Sequence, residues 1–328
     1  METPRKRHSF FWPIVLIGAG IIWLLVNLEI IEPVTIGSIL QFWPLLLVLL
    51  GLDILFGRRF AWLGSVFGVL AVGAVIVFFI YGPKYGWTQT PRTQVDTYTE
   101  PLGETTSVTY DFSTSSEAVE IYALNNSTTL IDASIAHQGI ITFDVRGDAE
   151  KTVRLYETTD TSSWVNWNLS FENYKWEIGL NPTVLTDVVL DSGSGSVNAD
   201  LSDVMLQSLT ADTGSSSVTF DLPESATPIS VTLSSGSGSI NLELGDNTAT
   251  TIVLESGSGS VHVDIPDDAE VRIELVSGGS GSLNLPDEVG RVSGDVETGA
   301  WETPGYSTAA APILIQILDQ GSGSISID

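Results

Sequence analysis

Cysteine is absent from the 328 residues, which removes disulfide staples and thiolate chemistry together. Histidine is nearly absent: only His8, His137 and His262 occur, too few and too scattered for the usual ligands of structural zinc. Basic charge is scarce as well, with 13 Lys and Arg against 40 Asp and Glu, a net charge of −27. The shortage is uneven. Up to Tyr81 the charged residues are Arg5, Lys6, Arg7, Arg58 and Arg59 against Glu2, Glu29, Glu32 and Asp53, net +1, so residues 82–328 carry −28. A segment that acidic repels phosphate backbones and anionic head groups, so nucleic acid is not an expected partner. Cations and basic polymers are what its field attracts.

Signatures of chemistry are missing too. No Gly-x-x-x-x-Gly-Lys phosphate loop is present, and no aspartate sits inside a glycine turn as the calcium-binding nonapeptide requires. His137 and His262 have no serine or carboxylate at a spacing that marks a catalytic triad. The chain therefore reads as non-enzymatic, with no cofactor.

What is present is a repeat. SGSGSV begins at Ser192 and at Ser256, and SGSGSI at Ser235; variants follow Thr213, Gly279 and Gly321. Gly193, Gly214, Gly236, Gly257 and Gly279 step by 21, 22, 21 and 22 residues, and the last step, to Gly321, is 42. That final step implies two periods with one degenerate copy between them. A fixed period in this range predicts stacked repeats. Within each unit apolar residues alternate: Val218, Phe220 and Leu222 share a face, opposite Thr219 and Asp221, and Ile229, Val231 and Leu233 form a second short strand. Ile240, Leu242 and Leu244 repeat the pattern, as do Val261, Val263 and Ile265. One unit cannot bury both its flanks, so the units must stack as a β-solenoid of about 21-residue repeats, with glycine permitting the tight corner. Equivalent outward positions on successive repeats hold Asp200, Asp221, Glu243 and Asp264. Such a row of like charge is either a solvated face or a divalent-cation site, and it is the one candidate site in the chain.

Three apolar runs, 9–28, 36–57 and 60–81, each match the roughly 20 residues that cross a bilayer as a helix. Basic residues before the first run and between the second and third put those ends in the cytoplasm, so the N-terminus is inside and everything after Tyr81 is extracytoplasmic. Asp53 lies near the cytoplasmic end of the second span and reaches Arg58 or Arg59 by snorkelling. Residues 82–101 read as a linker punctuated by Pro83, Pro91 and Pro101, 102–180 as an N-terminal β subdomain, and 181–328 as the repeats. Val108, Tyr110 and Phe112 share one strand face, Val119, Ile121 and Ala123 another. The aromatic stretch 164–180 supplies Trp167, Leu169 and Phe171, then Tyr174, Trp176, Ile178 and Leu180, as a buried face that seals the first repeat.

Phe11-Trp12-Pro13 recurs as Phe42-Trp43-Pro44, each followed by a Leu/Ile/Val-rich run with a glycine (Gly18, Gly51). This duplication resembles the membrane region of LiaI/LiaF-type proteins, the cell-wall-active-antibiotic response family. The stretches TTSVTYDFSTSSEAVEIYALNNSTTLIDASI from Thr105, WEIGLNP from Trp176 and DSGSGSVNADLSDVMLQSLTADTGSSSVTFDLP from Asp191 resemble the toast-rack β-solenoid, related to adhesin-type β-repeat proteins. Together the two similarities cover most of the chain. They imply a membrane-anchored protein of the bacterial envelope with no catalytic residues to carry over. In some relatives the function is restraint of a sensor kinase during envelope stress, which makes a membrane sensor kinase, or another envelope protein, the expected partner. Three spans and so regular a Gly-Ser solenoid depart from that picture. The alternative is an adhesin-like or scaffold module that binds cell-wall polymer, cations or another surface.

Overall fold

The computed structural model describes residues 93–125, 128–137, 139–158, 174–295 and 297–328, together with Ile17, Gly20, Gly73 and Val77, which are helical. Apart from those four, the expected spans, the Phe-Trp-Pro duplication and Asp53 lie outside the described residues, as do Trp167, Leu169 and Phe171.

From Thr93 onward the described chain is almost all strand. The strands are β1 (Gln94–Pro101), β2 (Ser107–Thr114), β3 (Ala118–Ala123), β4 (Thr129–His137), β5 (Ile140–Arg146), β6 (Glu150–Thr158) and β7 (Lys175–Leu180). The repeat region adds β8 (Leu185–Ser192), β9 (Ser196–Asp200), β10 (Leu206–Thr213), β11 (Ser217–Asp221), β12 (Ile229–Ser235), β13 (Ser239–Glu243), β14 (Thr250–Ser256) and β15 (Ser260–Asp264). The rest are β16 (Val271–Leu275), β17 (Leu283–Asn284), β18 (Gly290–Gly294), β19 (Gly299–Glu302), β20 (Ile313–Asp319) and β21 (Ser324–Ile327).

They build two sheets, ordered β1-β4-β7-β3-β9-β11-β13-β15-β21-β17 and β5-β6-β2-β8-β10-β12-β14-β20-β16-β19-β18. Each coil places one strand in each sheet, and from β8 onward a Gly-Ser corner joins the two. The coils stack in parallel, residue against equivalent residue: Val218 pairs with Val197 and Ile240, and Leu233 with Ala211 and Leu254. Alternation sends Val197, Val218, Phe220, Ile240, Leu242, Ile252, Leu254 and Val263 into the space between the sheets, all of them buried. The expected inward faces of the earlier strands hold as well: Tyr110, Phe112, Ile121, Trp176, Ile178 and Leu180 are buried. The two facing sheets enclose one continuous apolar core, which no single coil could close.

Spatial order departs from sequence order at both ends. The coil β2–β3 sits between β6–β7 and β8–β9, and β20–β21 sits between β14–β15 and β16–β17. The interval between Gly279 and Gly321 therefore holds no degenerate coil. It forms instead the antiparallel pair β18–β19, with β19 laid antiparallel on β16. The stack also runs through the expected boundary at 180/181, because β2–β3 and β6–β7 are coils of the same ladder. The expected linker 82–101 ends in a strand: β1 pairs antiparallel with β4, from Gln94 opposite His137 to Pro101 opposite Thr129.

Antiparallel strands cover the ladder in both sheets at one end and in one sheet at the other, where the two-residue β17 stays at the edge. At one end β4 and then β1 cover β7, β5 covers β6, and Tyr98 meets Phe143 with ring centroids 5.3 Å apart. At the other the Arg291 guanidinium lies 5.5 Å over the Trp301 ring. Covering the last parallel strands matters because an open edge is a template for pairing with other chains.

The corner glycines serve a purpose other than the bend. Among them only Gly321 has a left-handed φ, 61°. At Gly238, Gly259, Gly281 and Gly323 an added Cβ would overlap the backbone carbonyl of the neighbouring coil (Ser216, Gly238, Gly323 and Gly259 respectively). The residue is glycine because two backbones pass too close for a side chain. Gly259→Ala should therefore destabilise the domain by about 1–3 kcal/mol, the usual cost of forced overpacking. Gly290→Ala, where a Cβ meets nothing within 4 Å, should be near neutral; thermal unfolding of the two variants side by side checks this.

Candidate functional site

The Gly-Ser corners form a continuous surface feature. Corner amides and carbonyls bond from coil to coil: Gly214 N–H to Ser192 O at 2.8 Å, Ser237 N–H to Gly214 O at 2.7 Å, Ser258 N–H to Gly236 O at 2.7 Å and Ser322 N–H to Gly257 O at 2.7 Å. This ladder brings serines into rows. Ser196, Ser217, Ser239, Ser260 and Ser324 are register neighbours, and the Ser217 and Ser239 hydroxyls lie 3.0 Å apart. A parallel row holds Ser237, Ser258 and Ser322, and Ser280 donates to Ser322 Oγ at 3.3 Å. Between the rows runs an open groove of about 590 Å³, lined entirely by serine and glycine. It offers hydroxyls and backbone groups at the roughly 4.8 Å spacing of strands, with no charge and no apolar wall.

On the inner side of the same corner stand Ser192, Thr213, Ser235 and Ser256, all buried. Thr213 donates to Ser234 O at 3.2 Å, while the hydroxyls of Ser192, Ser235 and Ser256 have no partner within the described protein.

The acidic residues anticipated as a row are one in register. Asp221 lies beside Asp200 on one side and Glu243 on the other, and Glu243 lies beside Asp264. The chain's last coil extends the row, because Ile327 pairs with Val263 and so sets Asp328 next to Asp264. Burial and the Asp200 charge push the Asp221 carboxyl above its ordinary value of 3.8. Asp200 accepts the Ser202 backbone N–H at 3.1 Å. The side chains form a line on a sheet face rather than a cage, and among the described residues no group of three or more His, Asp or Glu could hold a metal ion.

Both C-terminal histidines have carboxylate partners that sequence spacing did not reveal. His137 Nε2 lies 3.1 Å from Asp96 Oδ2, and His262 Nδ1 lies 3.3 Å from Asp328 Oδ2. Strand pairing across 41 residues makes the first contact. Local spacing carries no trace of it.

Two family models match the chain. Residues 90–227 match the N-terminal domain of toast_rack, DUF2154, and residues 10–55 match the LiaI-LiaF-like transmembrane region. The chain joins a LiaI-LiaF-like membrane region to a toast-rack domain. Solved structures similar to it include a candidate cell adhesion protein from Clostridium sporogenes, 21% identical over 72% of this chain and 99% of its own, with a TM-score of 0.48. A candidate adhesin from Bacteroides fragilis is 14% identical over 73% and 99%, TM-score 0.31. A candidate lipid binding protein from Parabacteroides distasonis is 14% identical over 71% and 96%, TM-score 0.32. No curated protein matches.

The toast-rack acidic row yields a test with a definite sign. A carboxyl whose folded value is raised stabilises the fold when protonated, and that contribution is lost as pH rises through the folded value. Asp221→Asn should therefore raise the thermal midpoint modestly at neutral pH, and the gain should vanish below 3.8, the ordinary value for Asp. Calcium added at constant ionic strength should leave both midpoints unchanged.

Proposed function

We propose that this chain is a non-enzymatic protein of the bacterial cell envelope that works by contact. Its membrane region holds the N-terminus in the cytoplasm and the toast-rack domain outside. There the domain engages a membrane partner, a sensor kinase of the envelope stress response being the leading case. The observation that carries this reading is the joining, in one polypeptide, of a LiaI-LiaF-like membrane region to a toast-rack domain. Charge supports the orientation: the basic residues flank the apolar runs on one side, and the acidic excess lies beyond Tyr81. The surface chemistry agrees, since a shallow serine and glycine groove has no nucleophile poised beside a base and no shaped cavity for a small substrate.

The groove also favours a second reading. An uncharged row of hydroxyls set within a strongly acidic domain suits a neutral polyhydroxyl chain, such as a wall glycan, better than an anion.

Photo-cross-linking from Ser217 and Ser258 in native membranes separates the two. The first reading expects a specific membrane protein in the cross-linked band. Recovery of wall polymer without any membrane protein would establish the second instead. Hydrolysis of a glycan or ester panel by the purified chain would overturn both.

A further inference from the structure

Beneath the floor of the serine groove, the inner side of each corner contributes one polar side chain to a buried column. Strand register orders it: Thr114 beside Ser192, Ser192 beside Thr213, Thr213 beside Ser235 and Ser235 beside Ser256. Gln320 follows, one residue past the pairing of Glu255 with Asp319. Every member is buried, Ser192 being 1% exposed and Ser235, Ser256 and Gln320 4% each. None of them is charged.

Four polar atoms in this column have no partner within the described protein: the hydroxyls of Ser192, Ser235 and Ser256, and the Gln320 amide nitrogen Nε2. Leaving a buried donor unpaired forfeits its hydration with nothing in return, and here the fault would recur from coil to coil. The side chains cannot satisfy one another directly. Residues in register repeat at roughly 4.8 Å, whereas hydroxyls bond at about 2.7–2.8 Å. One water set about 2.8 Å from each of two such hydroxyls spans that gap in a bent, unstrained arrangement.

Two neighbours show what the corner accommodates. Thr213 is paired without water, its Oγ1 donating to Ser234 O of the next coil at 3.2 Å. Ser216 stands at the register position that is glycine at 195, 238, 259 and 323. It is fully buried, and its Oγ lies 3.5 Å from Ser192 O. A hydroxyl therefore fits inside the corner, and in that same coil the column residue is already paired. Where glycine stands instead, at 195, 238, 259 and 323, the column residue of the coil (Ser192, Ser235, Ser256 and Gln320) is the one lacking a partner. The groove floor lies close by: a Cβ on Gly259, which lines the groove, would come within 2.9 Å of Ser235 Oγ.

We propose that this column is a water-binding site, in which ordered water molecules bridge the inner hydroxyls from coil to coil beneath the serine groove. Each water accepts from the hydroxyl of one coil and donates to that of the next, so every unpaired group gains a partner at the spacing the ladder imposes. Gln320 ends the file, its Nε2 donating to the last water while its Oε1 accepts the Gly279 N–H at 3.4 Å. Neutral groups in single file select water over a divalent ion, which needs six or more oxygens, several of them charged, converging on one point.

Thermal unfolding of the full chain with Ser235→Ala, Ser256→Ala and both changes together tests this. Each single change should lower the midpoint by about 2–4 °C, because it strips a shared water of one partner. The pair should lower it by clearly less than the two singles summed, since both lose the same water. A midpoint that holds or rises with either alanine would mean that the hydroxyl was simply unpaired, and would overturn the proposal. Strictly additive losses would overturn it too, by assigning each hydroxyl a separate protein partner. Exchanging sodium and potassium for choline should leave the wild-type midpoint unchanged; a drop would give the column to a monovalent cation instead. Should the double variant fail to accumulate, a high-resolution map of the wild-type chain decides: density bridging Ser235 and Ser256 Oγ supports the file, and an empty gap refutes it.

Discussion

Close passage of backbone over backbone at the Gly-Ser corner is the constraint on which the rest of this domain depends. Coils exchange hydrogen bonds at their corners as well as along their strands, and at 238, 259, 281 and 323 the carbonyl of the neighbouring coil passes so close that it leaves no room for a Cβ. Once the corners stack, the strands fall into register, the apolar rows meet between the sheets, and the polar rows line up outside. The serine face, the acidic row and the buried hydroxyl column are all consequences of that one geometry. Each is an array rather than a cluster, and an array presents a surface more readily than it performs a reaction.

A repeating ladder must also stop. Both ends follow one plan in part: the coil nearest each terminus of the β chain is set second from the end, and antiparallel strands cover β6, β7 and β16, while the two-residue β17 stays at the edge of its sheet. The last coil fits its slot with small accommodations. A bulge falls in the pairing of β14 with β20 between Leu254 and Glu255, Gly321 adopts a left-handed φ, and the buried Gln320 stands level with Ser256 of the adjoining coil. The ends also bring together groups far apart in sequence: β1 carries Asp96 to within 3.1 Å of His137 on β4.

The period, the inward alternation and the acidic row could all be read from residues alone, because each is a property of one coil copied onto the next. Val218, Phe220 and Asp221 announce their faces through local alternation, and equal spacing fixes their neighbours. What escaped was non-local. Near-identical coils are chemically interchangeable as neighbours, so nothing local says that Ser324 lies beside Ser260 rather than beyond Ser282. β1 looked like linker because its partner β4 supplies the pairing that makes Gln94–Pro101 a strand. His137 looked isolated because Asp96 reaches it only through that same pairing. Glycine's role was misread for a related reason: the bend is local, whereas the carbonyl that excludes a Cβ belongs to another coil.

The lack of cysteine makes the coil order directly measurable. In the ladder Ser260 is the register neighbour of Ser324, and Ser282 lies one coil further on. Parallel neighbours about 4.8 Å apart suit a disulfide, whereas Cα atoms more than about 7 Å apart do not. Paired cysteines at 260 and 324 should therefore oxidise readily in the full-length chain, while a pair at 260 and 282 should stay reduced. Efficient bridging of 260 to 282, with none between 260 and 324, would mean that the coils stack in sequence order and would contradict the corner-stacked ladder described above.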